Sequence, residues 1–591
     1  MQEIIINFKN KLFHITCQAE NCLASSLLRL FLSTYVNFEI ESIINYEYYT
    51  FSQHSFIMNQ LNHRKDELSI LLTKIDCSYK IISAMDVHDT YYTSYFFSHS
   101  NSRKISLYVK NLERMLFIME HFISNIDSIN QILNNFIWGP IMLAFFLGIG
   151  LMFTLRTKFF QLTHYKMWLG NTILACLSKK GVRKTKEKHS ISQFQSLCTA
   201  LAGTIGTGNI AGVATAIAAG GPGAIFWMWL SAFFGMMTNF AEKSLGIKYR
   251  YKNDKGFWIG GAMVYIEKGL GVKWLAVLFS VFCAFASFGI GNMAQIQSIS
   301  SSLHNSFQIP PLLTGVVVAS CVAMVIMGGI KRISSVTEKF VPFMALLYIA
   351  GGLVVILANI EAVPAAFASI FGEAFRFKAA GGGIAGYGIA VAMKKGISRG
   401  VFSNEAGLGS SVMVHSASDV KEPVIQGMWG MFEVFADTLV VCTITALTIL
   451  TSGIYDMNTY ISNTAGNIPN LDGAPLTAES FASVIPYGSQ FVALSILFFA
   501  FSTLLGWSYY GERAVEYLFG LKAIVPYKIC YVFVIVIGSV SSVRLAWEIS
   551  DTLNGFMAIP NLIALTLLSG EVMQMLKDYL ARYVTKKRSF L

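Results

Sequence analysis

Three stretches of this 591-residue chain set glycines and oxygen-bearing side chains inside otherwise apolar sequence. The first reads Gly203-Thr204-Ile205-Gly206-Thr207-Gly208-Asn209-Ile210-Ala211-Gly212. Glycine costs about 1 kcal/mol against alanine in a water-exposed helix, so a continuous helix gains nothing from this run. An interrupted helix accounts for it. Breaking a helix inside a membrane frees backbone N–H and C=O groups, which are tolerated only where they line a site. Freed carbonyls hold a cation. Freed N–H groups at the start of the second half-helix, helped by its dipole, hold a carboxylate. Close packing through small residues explains the glycines as well, but not Asn209 or the threonines.

The second stretch joins a glycine-rich run, Gly381-Gly382-Gly383-Ile384-Ala385-Gly386-Tyr387-Gly388, to Ser403-Asn404-Glu405-Ala406-Gly407-Leu408-Gly409-Ser410-Ser411. Glu405 is ionisable in a membrane setting, which makes it, with Asn404 beside it, a candidate coupling or gating group. A structural salt bridge from Glu405 to Arg399 or Lys395 is the alternative. Two glycine-broken spans, one in each half, point to a pair of inverted repeats with a site near the midplane.

The third stretch carries Ser502-Thr503 and then Gly506-Trp507-Ser508-Tyr509-Tyr510-Gly511-Glu512. Adjacent hydroxyls facing a broken helix suit Na⁺, since hard cations choose oxygen. The alternative is bonding back to their own helix. Thr503 and Trp507, four apart, share a face, so Trp507 either walls a small pocket or simply packs. Asn292, Gln295 and Ser298, three apart, form a stripe that lines a solute path or glues helices together. There is no H-E-x-x-H, no G-x-x-x-x-G-K-[ST] and no G-x-S-x-G, which argues against an enzyme and an ATP-driven pump. The nine cysteines contain no C-x-x-C pair and read as packing residues; His415 reads as structural.

Long apolar elements must position these residues. The chain is 54% apolar and only 13% charged, with a mean hydropathy of +0.53. That excludes a disordered protein and an ordinary soluble enzyme and fits an all-α polytopic membrane protein. The net charge of +11 sits in loops, so it indicates membrane topology and not nucleic-acid binding. We count eleven spans, near 137–156, 193–219, 224–248, 275–302, 312–330, 340–359, 381–417, 426–452, 489–517, 526–546 and 552–576. Basic residues cluster between spans one and two, at 248–273, at Lys331–Arg332 and in the tail after Lys577, whereas 453–488 has no Lys or Arg. The N-terminus is therefore expected outside and the C-terminus in the cytoplasm.

Residues 1–138 contain neither Gly nor Pro, although the chain has 48 Gly and 12 Pro. Residues 1–118 thus form an atypical N-terminal extension. We expect a wrongly extended reading frame with Met115 or Met119 as the start; a genuine extra domain is the alternative, and a native mass beginning at Met1 would decide for it.

Gly203 to Pro222 with Phe226-Trp227-Met228-Trp229, the stretch Phe402-Ser-Asn-Glu-Ala-Gly-Leu-Gly-Ser, and Thr438 to Gly453 closely resemble the alanine/glycine:cation symporter family. The resemblance covers residues 119–591. It implies a fold similar to the bacterial leucine transporter, with inverted five-helix repeats in spans 2–6 (193–359) and 7–11 (381–576) and one added helix before them. It further implies sodium-driven uptake of alanine or glycine across a bacterial inner membrane, with no organic cofactor and no obligatory protein partner. By this resemblance the carbonyls of Ala202 and Ile205 with Ser502 and Thr503 would bind Na⁺. The N–H groups of Thr207 and Gly208 would hold the substrate carboxylate, with Asn209 beside the site; Gln295 and Trp507, read from their own spans, are the further substrate-binding candidates. Gln295-Ile296-Gln297-Ser298 departs from the family's frequent Gln-Ala-Asn-Ser, and Gly260-Gly261-Ala262-Met263 from its Gly-Gly-Pro-Met. Proton coupling through Glu405, or a passive channel or sensor, are the rival readings.

Overall fold

The structure is a computed structural model. It describes residue 121 and residues 124–588, apart from 179, 186, 376–388, 466–467 and 542–543. The extension 1–118 and the glycine run 381–388 lie outside the described residues. The chain divides by contact into two units, and the residues from Asn130 onward belong to the second.

This second unit is helical. Its first helix, α1, is Pro140–Arg156, with proline in the first turn, where a missing N–H costs nothing. After four short helical segments between Phe160 and Arg183 comes α2, Gln193–Thr204, opened by a capping box in which Ser192 and Gln195 satisfy each other's backbone N–H groups. It ends at Ile205, whose ψ of 90° is extended. A wide π turn follows over Gly208–Gly212 and leads into α3, Val213–Gly220. The two halves are bent by 54°. The glycine-rich run is therefore an interruption, as its composition predicts.

The chain continues through α4 (Gly223–Tyr249), a short hairpin pairing Tyr251–Lys252 with Trp258–Ile259, and α5 (Lys273–Phe288). A second π turn, Gly289–Met293, joins α5 to α6 (Ala294–Phe307). Then come α7 (Pro311–Ile326) and α8 (Gly329–Ala358). After the undescribed run, α9 (Ile389–Asn404) breaks at Glu405 and resumes as the single turn α10, Val412–His415. Glu405, Gly407 and Gly409 all have positive φ here, of 54°, 93° and 76°, and for Gly407 and Gly409 glycine is the residue that such a backbone favours. Next are α11 (Pro423–Val434), a π stretch Phe435–Cys442 and α12 (Thr443–Thr451). The last elements are α13 (Gly473–Ala482), α14 (Gly488–Phe519), α15 (Ile524–Val540), α16 (Arg544–Leu567) and α17 (Ser569–Arg588).

Among the described residues, seven helices are long and apolar enough to cross a membrane, and nine if each bent pair is one span. Two departures from the sequence reading stand out. The run 552–576 is not straight: it bends by 57° between the helix ending at Leu567 and that starting at Ser569. Lys331 and Arg332 do not form a free turn but sit in the first turn of α8, because the chain reverses earlier, at Met327–Gly328. The core is layered about α4, which packs most extensively on α11 and α9, while α14 packs on α5 and α6. The first broken helix packs on both sets, α2 on α14 and α11 and α3 on α9 and α4.

Candidate functional site

The first break is held by Asn209. Its Oδ1 accepts the Gly206 N–H at 2.9 Å, and its Nδ2 donates to Asp437 Oδ1 at 2.7 Å. The break therefore leans on the π stretch after α11. On its other side lies α14. A Cβ at Gly206 would stand 2.6 Å from Thr503 Oγ1 and 3.5 Å from Gln295 Oε1, so only glycine lets the backbone approach these atoms. Ser502 Oγ lies 3.3 Å from the Ala202 carbonyl and 2.8 Å from that of Phe499. Thr503 Oγ1 donates to Phe499 O at 3.1 Å. The hydroxyls thus do bond back to their own helix, and Ser502 Oγ also reaches the Ala202 carbonyl, which gathers three oxygens, the ligand type that hard cations choose, beside the break.

Gln295 donates to Ile290 O at 3.0 Å, while its Oε1 is buried without a partner, as are Thr204 Oγ1, Thr207 Oγ1 and Tyr510 Oη. Buried polar atoms are ordinarily satisfied, so a group of orphans around one break marks a place for a polar ligand. Tyr510 belongs here because a Cβ on Gly203 would meet its Oη at 2.5 Å. Trp507 is buried with its Cβ against Gly291 and its ring edge-on to Tyr510, centroids 5.4 Å apart. Gly208 faces the Phe402 ring on α9. The expected stripe on α6 is split: Asn292 turns away and donates to Tyr531 O at 2.8 Å, and Ser298 bonds back to Ala294 O at 2.8 Å. Those two are interhelical and intrahelical glue, and Gln295 alone faces the break.

The second break brings Ser403, Asn404 and Glu405 together. Ser403 Oγ donates to Asp437 Oδ2 at 2.8 Å, and Asn404 Nδ2 donates to Thr438 Oγ1 at 3.1 Å. Glu405 is bonded by the Ser410 hydroxyl. Among the described residues it forms no ion pair with Arg399 or Lys395, the salt bridge weighed from sequence: Arg399 lies instead over the Phe402 ring at 5.5 Å. Asp437 links both breaks and was missed in the sequence. A carboxylate inside the apolar run 426–452 is the signal that would have found it. Its described partners, Asn209, Ser403 and Thr438, are all neutral.

Outside the spans, segments flanking the breaks are clasped together. Ile191 N donates to Ala417 O at 3.1 Å, and Asp419 N to Ile191 O at 2.7 Å. Arg250 donates to the carbonyls of Ser416 at 2.8 Å, Ser418 at 2.6 Å and Val420, and lies over the Trp258 ring. Glu187 bonds Lys252, Ser190 and Trp258, and the Lys252 ammonium and the Ser190 hydroxyl are the main reasons its carboxyl is pushed down to about 2.

A family model for the sodium:alanine symporter family matches residues 123–590. The chain belongs to that family. It is 47% identical over 465 residues to the sodium/alanine symporter AgcS of Methanococcus maripaludis, covering 78% of this chain and 97% of that protein. It is 44% identical over 460 residues to an uncharacterized transporter of Haemophilus influenzae, covering 77% and 97%. It is 38% identical over 465 residues to the probable sodium/glutamine symporter GlnT of Bacillus subtilis, covering 78% and 91%. Among solved structures it is similar to MhsT in complex with L-phenylalanine, at 14% identity and a TM-score of 0.47, over 65% of this chain and 90% of that one. As a family member the chain is a multi-pass amino-acid:cation symporter, a transporter and not an enzyme.

Proposed function

We propose that this symporter couples inward Na⁺ flow to uptake of alanine or glycine across a bacterial inner membrane, N-terminus outside and C-terminus in the cytoplasm. One observation carries the reading: the Ala202 carbonyl, the Ser502 and Thr503 hydroxyls and the glycine break at Gly206 converge with no basic side chain among them. Na⁺ binds the carbonyls of Ala202 and Ile205 and the two hydroxyls. This fixes the angle between α2 and α3. The substrate carboxylate then meets the Thr207 and Gly208 N–H groups at the start of the second half-helix. Its ammonium meets Gln295 Oε1, an orphan acceptor. A larger substrate side chain would have to compete with the buried Trp507 and Tyr510 rings beside the break, which favours glycine and alanine over larger solutes. Alternating access follows as the set around α4 and α9 rocks against the set around α14, in the manner of inverted repeats.

The test is uptake of labelled alanine into proteoliposomes. Accumulation with an inward Na⁺ gradient, and none with a K⁺ gradient plus a pH step, is expected. Accumulation with the pH step alone moves the coupling role to Glu405, which is buried and bonded by a neutral hydroxyl. Failure under both overturns the substrate assignment.

A further inference from the structure

A second group of polar side chains lies behind the break at Glu405 and has no part in the mechanism above. Glu242 and Lys243 of α4, His415 of α10 and Glu433 of α11 are all fully buried. Glu242 Oε1 accepts the N–H groups of Gly407 and Gly409, each at 3.1 Å, and Asn561 Nδ2 at 2.6 Å. The carboxylate thereby fills the concave backbone of the break, as a bound anion would. Lys243 Nζ reaches Ser411 Oγ at 2.7 Å, Glu242 at 3.3 Å and Glu433 at 3.5 Å, and also bonds Asn239. Glu433 Oε2 takes Asn239 Nδ2 at 3.1 Å and His415 Nε2 at 3.1 Å. His415 Nδ1 meets the Gln426 amide at 2.5 Å, and the same amide reaches Ser196 of α2 at 3.0 Å. The chain of contacts thus runs from one broken helix to the other.

The charges in this group do not balance without a proton. Two carboxylates, Glu242 and Glu433, face one ammonium, Lys243. The other acids near it, Glu405 at the break and Asp437 one turn beyond Glu433, add negative charge and no cation. An uncompensated buried charge is costly, whereas an imidazolium at position 415 neutralises the group. The Gln426 amide suits both states. With nitrogen toward the ring, Nδ1 is an acceptor and the imidazole is neutral; Gln426 Oε1 is then left buried and orphaned. With the amide turned over, that oxygen accepts from Nδ1, and both ring nitrogens donate.

We propose that His415, between Glu433 and Gln426, is a proton-binding site whose occupancy opposes Na⁺ at the first break. Ser196 and Ala202 are six residues apart on α2, about 9 Å of rise, so the two cations lie on the order of 12 Å apart. At an effective dielectric of about 20 that repulsion weakens Na⁺ about tenfold. The coupling is reciprocal: Na⁺ binding weakens the proton about tenfold, which moves its midpoint down by about one pH unit. This inference rests on the Na⁺ reading for its second half only.

The experiment is a proton-binding titration of the purified full chain between pH 5.5 and 8.5, with and without Na⁺, for wild type and His415→Gln. Wild type is expected to take up about one proton more than the variant, with a midpoint about one pH unit lower when Na⁺ is present, and to bind Na⁺ about tenfold more tightly at the alkaline end. A Glu405→Gln protein keeps this difference. Equal proton uptake by wild type and His415→Gln overturns the site, and so does a difference that vanishes in Glu405→Gln. A proton difference that Na⁺ leaves untouched overturns the opposition and the Na⁺ placement while the proton site stands. If His415→Gln does not fold, Glu433→Gln serves: it removes the carboxylate that faces Nε2 at 3.1 Å and lowers the midpoint, and an unmoved midpoint overturns the proposal.

Discussion

Replacing Asn209 with alanine removes two bonds at the first break. The Gly206 N–H loses its 2.9 Å acceptor, and a buried unsatisfied donor costs about 1–3 kcal/mol. The Asp437 carboxylate loses its 2.7 Å donor, a charged-group bond of about 1.5–3 kcal/mol. Both groups are buried and the methyl side chain replaces neither, so the interrupted conformation loses about 3–6 kcal/mol relative to others. At about 1.4 kcal/mol per decade, the lower bound already reduces the competent population on the order of 100-fold. The remaining helices keep their packing, so the protein is expected to express and elute as wild type. The assay is Na⁺-driven uptake of labelled alanine into proteoliposomes at matched protein content. Loss of transport to background is expected, with partial recovery in Asn209→Ser. Uptake within threefold of wild type would refute the claim that Asn209 holds the break.

Other perturbations test neighbouring parts of the argument. Thr503→Ala removes a proposed Na⁺ ligand whose helix bond to Phe499 is dispensable, so uptake is expected to vanish at ordinary Na⁺ while the thermal midpoint shifts little; normal uptake at low Na⁺ would count against the ion site. Gly291→Ala puts a methyl group 2.4 Å from Trp507 Cβ, an overpacking of about 1–3 kcal/mol, and is expected to lower the thermal midpoint and impair uptake together. The Glu187 carboxyl, ordinarily near 4.5, is held down to about 2, so its stabilisation is present above pH 4.5 and is lost as pH falls toward 2. The pair is half-exposed, which limits it to about 1 kcal/mol or less; Lys252→Met should therefore show a flatter fall in thermal midpoint with acid than wild type, measured between pH 5 and pH 2.

The glycine break was legible because composition alone forbids a regular helix there, and the Ser502-Thr503 pair because hydroxyls stand out in an apolar span. The Asn292–Gln295–Ser298 stripe left path lining and helix glue both open, because helical spacing says which residues share a face and not which neighbour that face meets, and Asn292 meets Tyr531. Asp437, Glu242 and Lys243 escaped attention for a different reason. Each sits singly or as an adjacent pair in an otherwise apolar run, and key hydrogen-bond partners lie far away in the sequence, such as Asn209 for Asp437 and Asn561 for Glu242. Such long-range pairing leaves no local pattern. The bend before Ser569 was hidden because hydropathy continues across it.

The three π stretches, Gly208–Gly212, Gly289–Met293 and Phe435–Cys442, have a mechanical consequence. A π turn carries one residue more than the α-helix needs, and such a surplus can migrate along its helix like a dislocation in a crystal. Each one-residue step advances a half-helix by about 1.5 Å and turns it by about 100°, while nearly every backbone bond is exchanged and not lost. Two of the three stretches hold the ends of the Asn209–Asp437 bond. A dislocation moving through either would swing that side chain out of register, so the same bond that fixes the break also pins the surplus residue in place.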